Sequence, residues 1–247
     1  LSPKDIALSN EILRGVVGST AHGTAVSGQD DRDEMGIFIE PMENVIGLNA
    51  IPHYIQRDQL EGIRSQPGDL DLTLYSARKY VALAAHGNPS VLLLMYLPEF
   101  IKSGSLGDYL VANRHLFVSK EAGKRFLGYL VAQKMKLKGE KAHTVNRPEL
   151  IEKYGFDTKF AMHAARLGLQ GIEYLSTGTI SLPIREPDLT LCREIRTGKY
   201  TFGQALSLID AVEADLRAEI NKCDLQIDMK AIDKLLIYLH LNHWEKT

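Results

Sequence analysis

Cysteine is scarce: only Cys192 and Cys223 occur in 247 residues, far apart and without metal-ligand spacing. A disulfide framework and a cysteine-based metal site are thereby excluded, and both residues are expected to be free thiols of a reducing compartment. Long apolar runs are missing too. The longest, VLLLMYL from Val91, falls far short of the ~20 residues that span a bilayer and reads as buried helix. Neither sign of charge dominates, since 29 Lys and Arg against 31 Asp and Glu leave a formal net charge of −2. That balance argues against a protein coated in nucleic acid but leaves room for one local basic groove. The N-terminus lacks the basic, apolar, small-residue order of a secretory signal, so a cytoplasmic protein is expected. Leu1 in first place is consistent with a start that precedes this chain. Repeats, low-complexity tracts and flexible linkers are likewise absent.

What is present is an ordinary globular composition, 45% hydrophobic and 24% charged, with length enough for one large domain or two small ones. The first part alternates short strands and helices. EILRGVVG puts β-branched residues ahead of glycine, as a strand entering a turn does. DRDEMGIFIE reads as a second strand stopped by Pro41. DLDLTLYS reads as a third, with Leu70, Leu72 and Leu74 on one face and Asp69, Asp71, Thr73 and Tyr75 on the other. A helix, ARKYVALAAHG, follows and ends at Gly87. NPSVLLLMYL then starts another, with Asn88 as cap and Pro89 in the first turn. Beyond residue 105 the pattern turns helical, with helices expected over 105–114, 119–138, 156–177, 201–221 and 228–242. STGTISLPIREPD reads as a loop. The expectation is an α+β fold, a small mixed sheet with flanking helices followed by a helical C-terminal domain, divided as 1–104 and 105–247.

The chemistry concentrates in GSTAHGTAVSGQDDRDEMG, residues 18–36. Asp31 and Asp33 are two apart, so on a strand both carboxylates project from one face. Such a pair is costly unless a cation joins it, and Mg²⁺ prefers hard oxygen ligands. Gly18-Ser19, a dozen residues earlier, offers backbone N–H groups and a hydroxyl to phosphate oxygens. Together the halves imply a metal–triphosphate ligand. A third carboxylate comes from the third strand: Asp71 by its position, with Asp69 on the same face. Any one of these features is commonplace as a solvated turn; the ordered combination is not.

In this order the residues resemble the nucleotidyltransferase superfamily typified by DNA polymerase beta, and within it the predicted nucleotidyltransferases associated with RNA repair. That branch reads Gly-Ser-x-x-x-Gly and then Asp-x-Asp-x-x-Gly, here Gly18 to Gly23 and Asp31 to Gly36. DLTLYSARKY at 71–80, GNP at 87–89, GFDTKFAMHAARL at 155–167 and EIRTGKY at 194–200 match further blocks. Two departures stand out: the loop before Asp31 is one residue longer than the common pattern, and Leu93 stands where the branch often carries Glu.

The resemblance implies a nucleotidyltransferase domain and a helical substrate-binding domain. It implies that Asp31, Asp33 and Asp71 hold Mg²⁺, with Mn²⁺ as a substitute, while Gly18 and Ser19 hold the β- and γ-phosphates of a nucleoside triphosphate. Lys159, His163 and Arg166, which share one helix face with Gln170, are expected to face the nucleotide or the acceptor. Arg78 and Lys79 follow the third strand, and Lys79 is expected to reach the triphosphate. An RNA end, a tRNA among the options, is the expected acceptor. Residues 120–147, rich in lysine with Tyr129 interleaved and Lys134, Lys138 and Lys141 at helical spacing, read either as an electrostatic track for RNA or as a solvated helix face. LIDAVEADLRAEI reads as packing. The alternatives are nucleotidylation of a small molecule or protein, and a nucleotide-binding regulator or antitoxin-like partner without turnover.

Overall fold

The structure, a computed structural model, describes residues 1–25, 32–58, 69–140 and 147–245. In chain order the first elements are α1 (Pro3–Ser9), β1 (Glu11–Val16), α2 (Gly18–His22), β2 (Arg32–Phe38), α3 (Met42–Ile46), β3 (His53–Arg57), β4 (Leu70–Ser76) and α4 (Ala77–Ala85). There follow α5 (Pro89–Leu92), β5 (Lys102–Ser103), α6 (Ser105–Ala112), α7 (Lys120–Leu137), α8 (Pro148–Tyr154), α9 (Thr158–Thr177), α10 (Asp188–Arg196), α11 (Phe202–Lys222) and α12 (Met229–Trp244). The chain divides into two compact units. The first comprises Leu1–His86, Ser90–Phe117 and Ile227–Thr247; the second comprises Gly87–Pro89 and Val118–Gln226.

A five-stranded sheet in the order β3-β4-β2-β1-β5 organises the first unit. β2 and β4 run parallel, and the remaining pairs are antiparallel. The leucines of β4 alternate inward as their spacing requires: Leu72 and Leu74 are buried, and α1 lays Ile6 and Ala7 against them and Phe38. α1 is held at its start by a reciprocal cap. The Ser2 hydroxyl accepts from the Asp5 amide at 3.2 Å, and the Asp5 carboxylate accepts from the Ser2 amide at 3.1 Å. At the other end of β4 the Ser76 hydroxyl caps α4 by accepting from the Lys79 amide.

The second unit is built on α7, α9 and α11. Gly168 and Gly171 of α9 let the helices close up. A Cβ on Gly168 would meet Val212 Cγ1 of α11 at 2.3 Å and Leu130 Cδ1 of α7 at 2.8 Å; one on Gly171 would meet Leu216 and Phe126 at 2.9 Å. α11 opens with a second reciprocal cap, between Thr201 and Gln204.

The expected α+β architecture is observed, and five of the expected helices appear as α6, α7, α9, α11 and α12. β3, α8 and α10 were not anticipated. The division between the units also differs from a single cut at residue 104. α6 belongs with the sheet, because Gly107 lies so close to β1 that a Cβ there would sit 2.3 Å from the Ile12 carbonyl oxygen. α12 also belongs there: Trp244 Nε1 donates to the Glu40 carbonyl at 2.8 Å, and His243 Nε2 lies 2.9 Å from Asn10 Oδ1. Gly87–Pro89 goes with the helices: Asn88 Nδ2 donates to the Tyr129 hydroxyl at 3.3 Å, and a Cβ on Gly87 would lie 2.3 Å from Ala122 Cα of α7.

Candidate active site

The site is built where β1 turns into α2 beside the start of β2. Val17 donates its amide to the Asp33 carbonyl at 2.9 Å, which fastens the turn to β2. Gly18 follows with φ +69°, and a Cβ there would lie 2.1 Å from Asp33 Oδ2. Both facts demand glycine: the left-handed backbone disfavours a side chain, and the Asp33 carboxylate occupies the space one would need. The glycine and the aspartate, fifteen positions apart, are thus a single packing unit, with Ser19 next to them in α2. Gly23, at φ +73°, ends α2, and the Gly23 and Thr24 amides donate back to the Thr20 and Ser19 carbonyls.

Parallel pairing of β2 with β4 sets Asp33 directly opposite Asp71. Neighbouring strands are about 4.8 Å apart, and residues in register project from the same face. The two carboxylates therefore stand side by side across neighbouring strands. Arg57 of β3, in register with Asp71, places Nε 3.2 Å from Asp71 Oδ2. Asp69 lies just before β4, where its carbonyl accepts from the Arg32 amide at 2.8 Å. Asp31 lies outside the described residues, as does Lys141.

On the opposite sheet face, Glu34 is buried and bound by Arg32 Nε at 2.6 Å and Arg14 Nη1 at 3.4 Å. Glu11 is buried nearby, with Arg14 Nε at 3.1 Å and Lys102 Nζ at 3.4 Å. Burial raises its pKa and the two cations oppose the rise. Gly36, the last residue of the Asp-x-Asp-x-x-Gly block, makes room for these neighbours. A Cβ there would lie 2.7 Å from the Leu13 carbonyl oxygen, 2.6 Å from Leu74 Cδ2 and 3.1 Å from Glu11 Oε1. This steric role of Gly36 and the ionic network behind the acids escaped the sequence reading, which followed the carboxylates alone.

Lys79 is not brought to the acids. Its Nζ lies 3.0 Å from His53 Nδ1 and 5.8 Å from the centroid of the Tyr75 ring. His53 is in register with Tyr75, four residues along β4 from Asp71, or about 13 Å. There Lys79 and Arg78 line a cavity of about 360 Å³ with Glu40 and Asn44. Part of the lysine-rich run over residues 120–147 is paired. Lys134 is held between Asp210 at 2.5 Å and Glu213 at 2.8 Å, and Lys138 pairs with Glu140 at 2.5 Å, so part of that run is neutralised within the helical unit.

In the helical unit, Asp157 caps α9 by accepting from the Lys159 and Phe160 amides at 2.9 and 3.2 Å. Arg166 Nη1 donates to Gln170 Oε1 at 2.8 Å, and its Nη2 lies 3.4 Å from His163 Nδ1. The polar stripe of α9 is therefore one connected row. Burial lowers the Arg166 pKa to about 10, which leaves it a cation at neutral pH. Burial and then the Arg166 charge push His163 well below the usual imidazole range.

Residues 9–219 match the description "RNA repair pathway DNA polymerase beta family", or RlaP. The chain belongs to the RlaP family. A phage T4 protein, an uncharacterized 38.9 kDa product of the nrdC–mobD intergenic region, is 26% identical over 129 residues. That stretch is 51% of this chain and 38% of the phage protein, so the likeness reaches well under half of the relative's length. A nucleotidyltransferase-like protein from Exiguobacterium sibiricum is similar in structure over 89% of this chain and 71% of its own, at 11% identity and a TM-score of 0.30. That distance is too great to carry an inference.

RlaP membership concerns the family; the donor set belongs to this chain. Asp33 and Asp71 offer hard carboxylate oxygens in a pair that a divalent cation would neutralise better than Arg57 alone, whose side chain is 52% exposed. Among the described residues no group of three or more His, Cys, Asp or Glu is gathered for a metal.

Proposed function

We propose that this chain transfers a nucleoside monophosphate from a nucleoside triphosphate to a hydroxyl at an RNA end, with release of pyrophosphate. The observation that carries the proposal is the register of Asp33 with Asp71, with Gly18 packed beneath the Asp33 carboxylate. Asp31, two residues before Asp33, supplies the third carboxylate. Mg²⁺, or Mn²⁺ in its place, would be held by these three and would supply charge neutralisation on the triphosphate and a lowered pKa for the attacking hydroxyl.

The chain's own groups then position the reactants. The Ser19 hydroxyl and the backbone at Gly18 donate to the β- and γ-phosphate oxygens, while Asp71 orients the attacking hydroxyl toward the α-phosphorus. As the new oxygen–phosphorus bond forms, the bond to pyrophosphate breaks and the hydroxyl proton is released to solvent. Rate enhancement comes from alignment and charge complementarity and requires no covalent protein intermediate. In the second unit, Lys159, His163 and Arg166 offer ammonium, imidazole and guanidinium N–H donors of the kind that suit phosphate oxygens. Lys79, engaged with His53, is left out of this set.

Asp71→Asn is expected to reduce transfer by roughly 10³-fold or more, the scale of removing a group that acts on transition-state charge, while nucleotide affinity changes little. Product formation from each labelled nucleotide on RNAs of defined 3′ ends, beside equilibrium nucleotide binding, measures both. Transfer that survives in Asp71→Asn would overturn the assignment.

A further inference from the structure

The cavity beside Lys79 has no part in the transfer just described. It encloses about 360 Å³, within the range that holds small ligands, and every residue lining it belongs to the first unit. It also stands apart from the acids. Lys79 is held there by His53, in register with Tyr75, four residues along β4 from Asp71. Val45 of α3 and Ile51 ahead of β3 give the cavity an aliphatic wall, and buried Glu40 and Ser76 are part of its lining.

Two unmet needs share that lining. Arg78 and Lys79 bring cations from the first turn of α4. Arg78 is exposed and makes no ion pair among the described residues. Lys79 meets His53 Nδ1 at 3.0 Å, which takes up one of three ammonium protons and brings no negative charge. Glu40, the carboxylate of the lining, is already bound by His240 Nε2 at 3.2 Å and by the Ser76 hydroxyl. The second need is that of Asn44. Its Nδ2 donates to the Asn49 carbonyl at 2.7 Å, which fixes the orientation of the amide. Its Oδ1 is shut off from solvent and has no hydrogen-bond donor among the described residues.

A buried acceptor without a donor is unfavourable. Cations beside an apolar cavity attract an anion more strongly than cations in open water do, and the arginine fork matches a carboxylate. One ligand answers both needs if it carries an anionic group and an N–H donor on an apolar body. Glu40 in the same lining favours a donor that is itself a cation.

We propose that this cavity binds a small zwitterion with an apolar body, the chemistry of a free α-amino acid. The carboxylate meets Arg78 and Lys79, the ammonium donates to Asn44 Oδ1, and the side chain packs on Val45 and Ile51. This second site goes beyond the transfer reading and does not rest on it.

The full chain is screened by saturation-transfer NMR against leucine, valine and phenylalanine. The best binder is then titrated calorimetrically beside the analogues that lack one charged group, which for leucine are isoamylamine and isocaproate. The amino acid should bind saturably, with each analogue about tenfold weaker, and Arg78→Gln and Asn44→Ala should each weaken it about tenfold. Lys124→Ala, at an exposed pair with Glu121, should leave it unchanged. Circular dichroism accompanies each variant, and the exposed Arg78 decides the matter if Asn44→Ala unfolds.

Absence of saturable binding by all three amino acids would overturn the proposal, as would full affinity in a folded Arg78→Gln. Equal binding of isocaproate would remove the zwitterion, and mutually exclusive binding with ATP would assign the cavity to the nucleotide instead. The two readings fail separately. Transfer retained in Asp71→Asn sinks the catalytic assignment and leaves this titration standing, because neither metal nor nucleotide enters the primary measurement.

Discussion

Asp33 would be unremarkable without the residue beneath it. Gly18 combines a left-handed backbone with an approach of 2.1 Å between a hypothetical Cβ and Asp33 Oδ2, so any side chain there must move the carboxylate or the turn. Gly18→Ala is expected to lose about 1–3 kcal/mol of stability from backbone strain. It should also depress transfer more than it depresses nucleotide affinity, because the acid is displaced. A thermal melt set beside turnover measures the two effects. The cysteines answer a different question at the same scale. Both are free and buried, and burial pushes the Cys192 thiol up to about 12, which suits inert packing residues better than redox ones. Gly18, Asp33 and Asp71 were legible because each belongs to a short motif whose spacing already states a geometry. The salt bridge from Arg57 to Asp71 was not, since it depends on a strand the sequence scarcely advertises.

β3 illustrates that difficulty. HYIQR is five residues long, pairs only with β4 at the sheet edge, and leaves Ile55 43% exposed. It therefore has no inward-outward alternation to read. α10 had a signal that went unused: Pro187 ahead of Asp188 and Gly198 after Arg196 are ordinary boundary residues, and the loop read over 176–188 ends where α10 begins. α9 was legible from its helical spacing of polar residues, and its glycines carry a further consequence. Gly168→Ala should gain roughly 0.5–1 kcal/mol in helix propensity. The new Cβ, 2.3 Å from Val212 Cγ1, should cost about 1–3 kcal/mol in overpacking. The second effect wins, so the variant is expected to be less stable, with faster hydrogen exchange in α9 as the readout.

Residues two hundred positions apart complete the first unit. Glu40, just past β2, is buried with Oε2 3.2 Å from His240 Nε2 of α12. Burial alone would raise the Glu40 pKa, but hydrogen bonds from His240 and Ser76 outweigh it and leave the carboxyl below its ordinary value of 4.5. A carboxylate with a depressed folded pKa stabilises the fold above its unfolded pKa, and that contribution is lost as pH falls through the folded value. Wild type should therefore exceed Glu40→Gln by about 1–3 kcal/mol at pH 6 to 8, with the gap closing below about pH 4.5. Trp244 is the only tryptophan of the chain, and its indole donates to the Glu40 carbonyl. Its fluorescence during urea unfolding at a series of pH values reports on this unit directly.

Local information was enough for the strand that carries Asp71, the turn at Gly18, the polar spacing of α9 and the family to which all of them belong. Each is set by neighbours within a few residues, through alternation, helical spacing or the conformational freedom of glycine. Tertiary structure alone decided that Asp33 stands opposite Asp71, that Lys79 turns to His53, and that α12 returns to the sheet. Those outcomes depend on which strands pair and which helix faces are buried, and burial is a property of the assembled chain that no single segment contains.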